Sequence, residues 1–272
     1  RTIEEILKLD PQRYDITVFG AEPHPNYNRI MLSPLLAGEI QLDDIILHPR
    51  EWYTDNNISL YTDDQVIDID RASRVIESAS GRRLDYDRLL IATGSTPFMI
   101  PIPGNDLQGV IGYRDIEDVE RMLESARRAR HAVVIGGGLL GLEAAYGLQQ
   151  QGMQVTVVHL MESLMERQLD PPAATLLQTS LEQRGLSFRI ATETTALSGE
   201  DGQVTTIQFA DGTSLPADLV VMAVGIRPNY HLAQQAGLLC ERGLLVDDLM
   251  RTSDPMIYAV GECVQHRDVC YG

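Results

Sequence analysis

Ala132-Val133-Val134-Ile135-Gly136-Gly137-Gly138-Leu139-Leu140-Gly141 is a short apolar strand running into spaced glycines, and Leu142 to Leu148 continues it in a helical pattern. The next strand, Val155-Thr156-Val157-Val158, completes a strand–turn–helix–strand unit. In such a unit Gly136 makes the tight turn, Gly138 lets backbone approach a pyrophosphate, and Gly141 lets the helix pack closely on the strand. The helix start at Leu139 and Leu140 offers unpaired N–H groups and a favourable dipole to the phosphates. Spaced glycines alone are a weak signal. Framed by two strands and a helix, they predict a Rossmann-like dinucleotide-binding domain. The residue that reads the adenosine ribose is expected about 20 residues on, at the end of the second strand. That position holds His159 in place of the usual carboxylate, with Glu162 near enough to substitute and Arg167 suited to a 2′-phosphate. Glycine at the third motif position leans toward NADH, and the choice between NADH and NADPH stays open. The other reading of His159 is a surface histidine with no ligand.

Outward from this unit, the chain repeats itself. Gly81-Arg82-Arg83-Leu84-Asp85-Tyr86-Asp87 leads into Leu89-Leu90-Ile91-Ala92-Thr93-Gly94-Ser95-Thr96-Pro97. Gly212-Thr213-Ser214-Leu215-Pro216-Ala217-Asp218 leads into Leu219-Val220-Val221-Met222-Ala223-Val224-Gly225-Ile226-Arg227-Pro228. The pairs 81/212, 84/215, 87/218, 92/223, 94/225 and 97/228 are all 131 residues apart. Each copy reads as a turn, a buried strand and a glycine-containing loop. Ahead of each lies a polar, turn-rich stretch, 62–80 or 192–211, that predicts a small β-meander.

Upstream, Ile16-Thr17-Val18 matches Val155-Thr156-Val157, which makes Glu22 the ribose-position counterpart in the first copy. One carboxylate can accept both ribose hydroxyl hydrogens. The same matching puts the first copy's glycines at about −3, −1 and 2, and the last position is Thr2, so loop lengths differ slightly and the opening strand and fingerprint are expected to lie outside the chain. The fold class that follows is α/β: two Rossmann-like dinucleotide-binding domains, each with a small β-meander, the first with its opening strand truncated. The expected limits are 1–112 with 241–272 for one domain and 113–240 for the other. Asp115 is expected to cap a helix whose apolar face holds Ile116, Val119, Met122, Leu123 and Ala126.

Bulk properties exclude several classes. With 44% apolar and 22% charged residues the chain is globular. A formal charge of −17 repels phosphate backbones, so no nucleic-acid partner is expected. No apolar run approaches the roughly 18 residues of a membrane span, and no membrane partner is expected. Three cysteines without Cys-x-x-Cys spacing and a charged N-terminus without a secretory pattern suggest a cytoplasmic protein. No group of residues suggests a metal site.

These residues resemble the pyridine nucleotide-disulphide oxidoreductases, flavoproteins that bind two dinucleotides. Ala92-Thr93-Gly94 is similar to that family's Ala-Thr-Gly segment, and Tyr258-Ala259-Val260-Gly261-Glu262-Cys263 to its late Tyr-Ala-x-Gly-Asp segment, with Glu in place of Asp. The resemblance implies FAD and NAD(P)H as cofactors and gives Glu262 a hydrogen bond to the flavin's ribityl chain. It also implies cofactor contacts at Glu22, Val66, Ala92, Thr93, Gly94, Gly225 and Gly261. Tyr27-Asn28-Arg29-Ile30-Met31-Leu32-Ser33 and His159 to Asp170 narrow the resemblance to the flavin-containing large subunits of assimilatory NAD(P)H-dependent nitrite reductases. On that resemblance Arg29 is a cation near the isoalloxazine ring, able to stabilise the anionic reduced flavin; otherwise it forms a surface salt bridge. Glu143 orients the nicotinamide, or is simply a first-turn glutamate favoured by the helix dipole.

The first cysteine is Cys240, so the disulfide, peroxide and coenzyme A disulfide chemistry of family members with a redox cysteine near the flavin is not expected. The resemblance implies an electron-input module that passes hydride from NAD(P)H to FAD and electrons on to an iron–sulfur and sirohaem centre. That centre lies in a part of the full-length protein absent from this sequence. A reductase for rubredoxin or ferredoxin, in which the acceptor is a small electron-transfer protein, is the nearest alternative. A non-catalytic nucleotide-binding module is the alternative of another class. The oligomeric state is open, a homodimer being compatible with it.

Overall fold

Apolar runs without a polar face suit strands covered on both sides, and two of them, His131–Ile135 and Leu219–Met222, lie side by side in a five-stranded parallel sheet. This arrangement is seen in a computed structural model of the chain, in which residues 1–270 are described. The strand order is Ser187–Arg189, Gln154–Val158, His131–Ile135, Leu219–Met222, Val110–Ile111. The helix Leu139–Gln150 connects the two strands of the predicted unit and buries Leu142, Ala144, Ala145 and Leu148. A second helix, Leu32–Ala37, lies against it where side chains are smallest. A Cβ at Gly147 would stand 2.7 Å from Leu36 Cγ, so the glycine is what admits that approach.

The antiparallel meander Thr194–Glu200, Gln203–Phe209, Ser214–Pro216 packs Val204, Ile207 and Phe209 into one cluster with Val133, Val220 and Met222. All these elements belong to one compact unit, residues 29–44 and 96–227. A second compact unit comprises residues 1–28, 45–95 and the chain from Pro228 onward. It contains the parallel pairs Thr17–Phe19 with Ser59–Tyr61 and Leu89–Ile91 with Ile257–Ala259. Its meander is Val66–Asp70, Val75–Ser78, Arg83–Asp85, and its core gathers Ile69, Ile76, Ile91, Leu238, Leu244 and Ile257.

The repeat is visible bond by bond. Ser78 N–H donates to Arg82 O at 2.9 Å and Phe209 N–H to Thr213 O at 3.0 Å, each closing a turn around a left-handed glycine, Gly81 (φ 83°) or Gly212 (φ 81°). Tyr86 N–H reaches Arg74 O at 2.9 Å, and Ala217 N–H reaches Thr205 O at 3.0 Å. His131–Ile135 pairs with both Gln154–Val158 and Leu219–Met222. The counterparts of those two strands, Thr17–Phe19 and Leu89–Ile91, share no common neighbour among the described residues.

Compactness and the sequence-derived limits diverge in three places. Residues 29–44 and 96–112 pack with the fingerprint unit, because Leu36 seats on Gly147 and Val110–Ile111 forms an edge strand of its sheet. Residues 228–240 pack with the other unit, to whose core Ala233 and Leu238 belong. Among the described residues no helix is long and apolar enough to cross a membrane.

Candidate functional site

The glycine loop leaves the end of strand His131–Ile135 and enters the helix at Leu139. Its glycines are required for different reasons. Gly136 has φ 122°, and a Cβ there would lie 2.2 Å from Ala223 O. A Cβ at Gly141 would lie 2.0 Å from Gly136 O, so helix and turn touch backbone to backbone. Gly138 is the helix N-cap with φ −80° and ψ 177°, and nothing stands within 4 Å of a Cβ placed on it. Its glycine therefore relieves no protein crowding; it keeps open the ground in front of the helix start. Gly225, at φ 118°, likewise faces open space. Gly138, Leu139, Leu140 and Gly225 come together with Tyr113 and Ala223 around a cavity of about 160 Å³. No side chain caps the helix, and no acidic residue occupies its first turn. An anionic group at the helix start would meet unpaired N–H donors and the positive end of the dipole. A dinucleotide's pyrophosphate fits this cradle.

Glu143 sits one turn into the helix. Ser33 Oγ donates to Glu143 Oε2 at 2.6 Å, and Ser33 Oγ lies 3.1 Å from Tyr113 Oη. A carboxylate only accepts, so the Ser33 hydroxyl hydrogen is spent on Glu143 and Tyr113 must donate to Ser33. Tyr113 is 2% exposed, and burial pushes its phenol up to about 12, which keeps that proton in place. Ser33 and Tyr113 were not among the predicted site residues. The sequence carried a signal for Ser33, the last residue of the Tyr27–Ser33 segment, and none for Tyr113 as its partner 80 residues away. Arg29, on a short 3₁₀ turn, donates to Arg114 O at 3.0 Å.

His159 ends the strand Gln154–Val158, as expected, but it is 9% exposed, which corrects its reading as a surface histidine. Its Nδ1 accepts the Gly137 N–H at 3.0 Å and its Nε2 lies 3.1 Å from Glu166 Oε2. Glu162 and Arg167 are exposed on the loop that follows.

In the other unit, predicted residues lie beyond the C-terminal ends of parallel strands, where ligands of α/β sheets bind. Glu22 follows strand Thr17–Phe19 and accepts from Tyr27 Oη at 2.5 Å. Val66 opens the meander on the same side of the chain reversal, where Asp64 N–H reaches Gly20 O at 3.0 Å. Ala92-Thr93-Gly94 and Gly261-Glu262 leave the neighbouring strands Leu89–Ile91 and Ile257–Ala259 together, tied by Val260 N–H to Ile91 O at 3.0 Å. Ser95 Oγ donates to Glu262 Oε2 at 2.9 Å, and Thr93 Oγ1 donates to Asn229 O at 2.5 Å. Gly94 and Gly261 are left-handed, with φ 65° and 84°. Of the residues expected on the flavin, Ala92–Gly94 and Gly261–Glu262 are thus brought together in one group. A larger cavity of about 520 Å³ elsewhere in this unit contains none of them, and its charged residues Asp247, Asp248, Arg251, His266 and Arg267 are paired with one another. Cys240, Cys263 and Cys270 form no disulfide, and burial raises the Cys240 thiol, which disfavours a reactive thiolate there. Among the described residues no group of acidic, histidine or cysteine side chains is arranged to hold a metal.

A glycine-loop cradle at a helix start, a parallel sheet and a meander repeated in both halves define a nucleotide-binding oxidoreductase of the doubled Rossmann type. The sequence profile of the pyridine nucleotide-disulphide oxidoreductases matches residues 3–270, and the chain belongs to that family. It is 51% identical over all 272 residues to the nitrite reductase [NAD(P)H] of Bacillus subtilis, of which it spans 34%. It is 34% identical over 258 residues, 94% of the chain, to the rubredoxin-NAD(+) reductase of Pseudomonas putida, spanning 67% of that protein. Among solved structures, a ferredoxin reductase of Rhodopseudomonas palustris superposes with a TM-score of 0.90 at 31% identity, covering 97% of this chain and 65% of that one. The chain spans about a third of the length of the nitrite reductases it matches.

Proposed function

We propose that the chain is the electron-input portion of an NAD(P)H-dependent nitrite reductase, taking hydride from NAD(P)H to FAD and delivering electrons to an iron–sulfur and sirohaem centre elsewhere in a longer protein. The observation that carries the nucleotide part is the open ground at Gly138, in front of an uncapped helix start. What directs it to nitrite reduction is the identity of 51% along the whole chain to a protein of that name.

The nicotinamide nucleotide is assigned to residues 113–240, with Gly136, Gly138, Leu139, Leu140 and Gly141 receiving its pyrophosphate and Gly225 bordering the same cavity. The flavin nucleotide is assigned to residues 1–112 and 241–272, with Glu22 on its ribose, Val66, Ala92–Gly94 and Gly261 along its length, and Glu262 on the ribityl chain. When bound, the two cofactors supply hydride and single-electron chemistry. The chain's own residues hold and orient them. Glu143, held by the Ser33 hydroxyl, is placed to accept from a carboxamide N–H, and Arg29 provides a cation for the reduced ring. The residues present fit this pair of cofactors: small or left-handed at the close approaches, carboxylate where hydroxyl hydrogens must be accepted.

A second reading, a reductase serving a small electron-transfer protein, is supported by the 67% of the Pseudomonas putida rubredoxin-NAD(+) reductase that the chain spans. The two readings share a test of their common part. The purified chain should show bands near 375 and 450 nm, the approximate positions of oxidised flavin, that bleach on adding NADH or NADPH. Nucleotide binding without those bands would leave only a non-catalytic binding module. To separate the two readings, the longer protein is assayed for nitrite consumption with NADH. Reduction of rubredoxin but not nitrite would overturn the first.

A further inference from the structure

We infer that His159, with Glu166, is a positioning residue for the glycine loop and takes no part in reading the adenosine ribose. The inference rests on the reading of that loop as the NAD(P)H site. Gly137 is gripped from both sides by the loop 159–166. Its N–H donates to His159 Nδ1 at 3.0 Å, and its carbonyl accepts the Met165 N–H at 3.0 Å. Met165 makes that bond from a left-handed backbone, φ 50°, which a residue with a side chain seldom adopts. The His159 ring and the fully buried Leu164 close over the same peptide. A Cβ at Gly137 would stand 2.7 Å from His159 Cγ and 2.7 Å from Leu164 Cδ2.

The proton positions on the ring follow from its partners. A backbone N–H can only donate, so Nδ1 must present its lone pair, and the neutral ring carries its hydrogen on Nε2. That hydrogen points to Glu166 Oε2, 3.1 Å away. The Glu166 carboxyl is held below its ordinary range, first by a hydrogen bond from its own backbone N–H and then, against some desolvation, by His159 and Arg167. It is therefore an ionised acceptor near neutrality. Both ring nitrogens are thus committed within the protein. A ribose hydroxyl bound by either one would leave the Gly137 N–H or the Glu166 carboxylate without this partner, in a place where the ring is nearly closed off from water. The residue standing at the ribose-reading position instead fixes the peptide between the first two fingerprint glycines. Recognition of the 2′-hydroxyl or 2′-phosphate then falls to exposed groups of the same loop, Glu162 and Arg167.

The test is calorimetric titration of the whole chain, with its flavin, by NAD⁺ and separately by NADP⁺. In His159→Leu the Gly137 N–H loses its acceptor. Affinity for both nucleotides should fall by the same factor, about tenfold, within the range expected for a buried donor left unpaired. In His159→Asn the side-chain carbonyl can stand in for Nδ1, and affinity should stay within about threefold of wild type. Glu166→Ala, at a partly exposed position, removes the acceptor that fixes the tautomer and should weaken NAD⁺ by about threefold. This variant and His159→Asn carry the test if His159→Leu does not fold. A change of more than about threefold in the NAD⁺/NADP⁺ affinity ratio in either His159 variant would mean that His159 reads the ribose, and would overturn the inference. So would unchanged NAD⁺ affinity in both His159→Leu and Glu166→Ala. A wild-type chain that binds neither nucleotide overturns the parent reading, and is told apart by needing no variant.

Discussion

Two glycines three residues apart in one motif are there for opposite reasons, and substitution separates them. Gly138 has a backbone that alanine adopts, and its Cβ direction is empty, so Gly138→Ala should melt within a degree or two of wild type (about ±0.5 kcal/mol for a site without contacts). It should nevertheless lose most nucleotide affinity, because the methyl group occupies the ground proposed for the pyrophosphate. Gly141→Ala drives a methyl to 2.0 Å from Gly136 O, a backbone atom that cannot swing aside. Loss of at least about 1–3 kcal/mol is expected, the ordinary cost of overpacking, and binding should fall with stability. Thermal melts beside nucleotide titrations read both, and a Gly138→Ala variant that binds normally would remove the cradle from the argument. Ser33 offers a second residue-scale test. Ser33→Ala frees Glu143 and strands the buried Tyr113 hydroxyl, which should cost about 1–3 kcal/mol and slow flavin reduction by NADH by about tenfold through lost orientation. Adding Tyr113→Phe removes the stranded hydroxyl and should recover the stability without recovering the rate. Stopped-flow reduction rates and denaturant midpoints of the two variants decide it.

The helix Ile116–Ala126 shows how much of an element its sequence can carry. Asp115 caps it as expected, its side chain accepting the Asp118 N–H at 2.9 Å, and Ile116, Val119 and Met122 form its buried face. Its second acid was not foreseen. Asp118 reaches back to the Arg114 N–H at 2.7 Å, and burial, reinforced by the Asp115 charge, raises its carboxyl above the ordinary range. An acid whose folded pKa is raised lends stability below the unfolded value of 3.8 and loses it as pH rises through the folded value. Asp118→Asn keeps the acceptor and drops the charge. It should therefore raise the melting temperature at pH 7 and leave it unchanged at pH 3; an equal shift at both would refute the electrostatic reason. The same boundary runs through the rest of the fold. The 131-residue repeat was legible down to single turn bonds, because Gly81 and Gly212 are left-handed turns fixed by local chemistry. The fingerprint glycines were legible because strand, turn and helix are contiguous. What stayed hidden depended on partners far along the chain: Leu36 over Gly147, Ser33 on Glu143, and the burial that turns His159 from a surface group into a clasp on Gly137. The domain limits missed the compact units for that reason, since 29–44 is drawn toward the fingerprint helix by a side-chain contact that no local pattern encodes.

At the scale of the whole chain, the formal charge of −17, from 39 acidic and 22 basic residues, bears on how electrons leave. A charge of this size raises the local concentration of cations and lowers that of anions, within a Debye length of about 10 Å at 0.1 M salt and 30 Å at 0.01 M. An acceptor joined to the same polypeptide has no encounter to lose, so an acidic surface costs it nothing. A freely diffusing acidic acceptor would be slowed, and a basic one steered in. The sign of the salt dependence therefore reports which kind of acceptor this surface tolerates. With NADH saturating, reduction of the cation hexaammineruthenium(III) should slow as salt rises from about 0.01 to 0.5 M, and reduction of the anion ferricyanide should quicken, each by about tenfold, the lower end of electrostatic rate effects. Each acceptor is its own control for intrinsic reactivity, since only the slope is read. Slopes of the opposite sign would place a basic region at the point of electron exit. Such a region would favour the reading of a small acidic partner protein over that of a tethered centre.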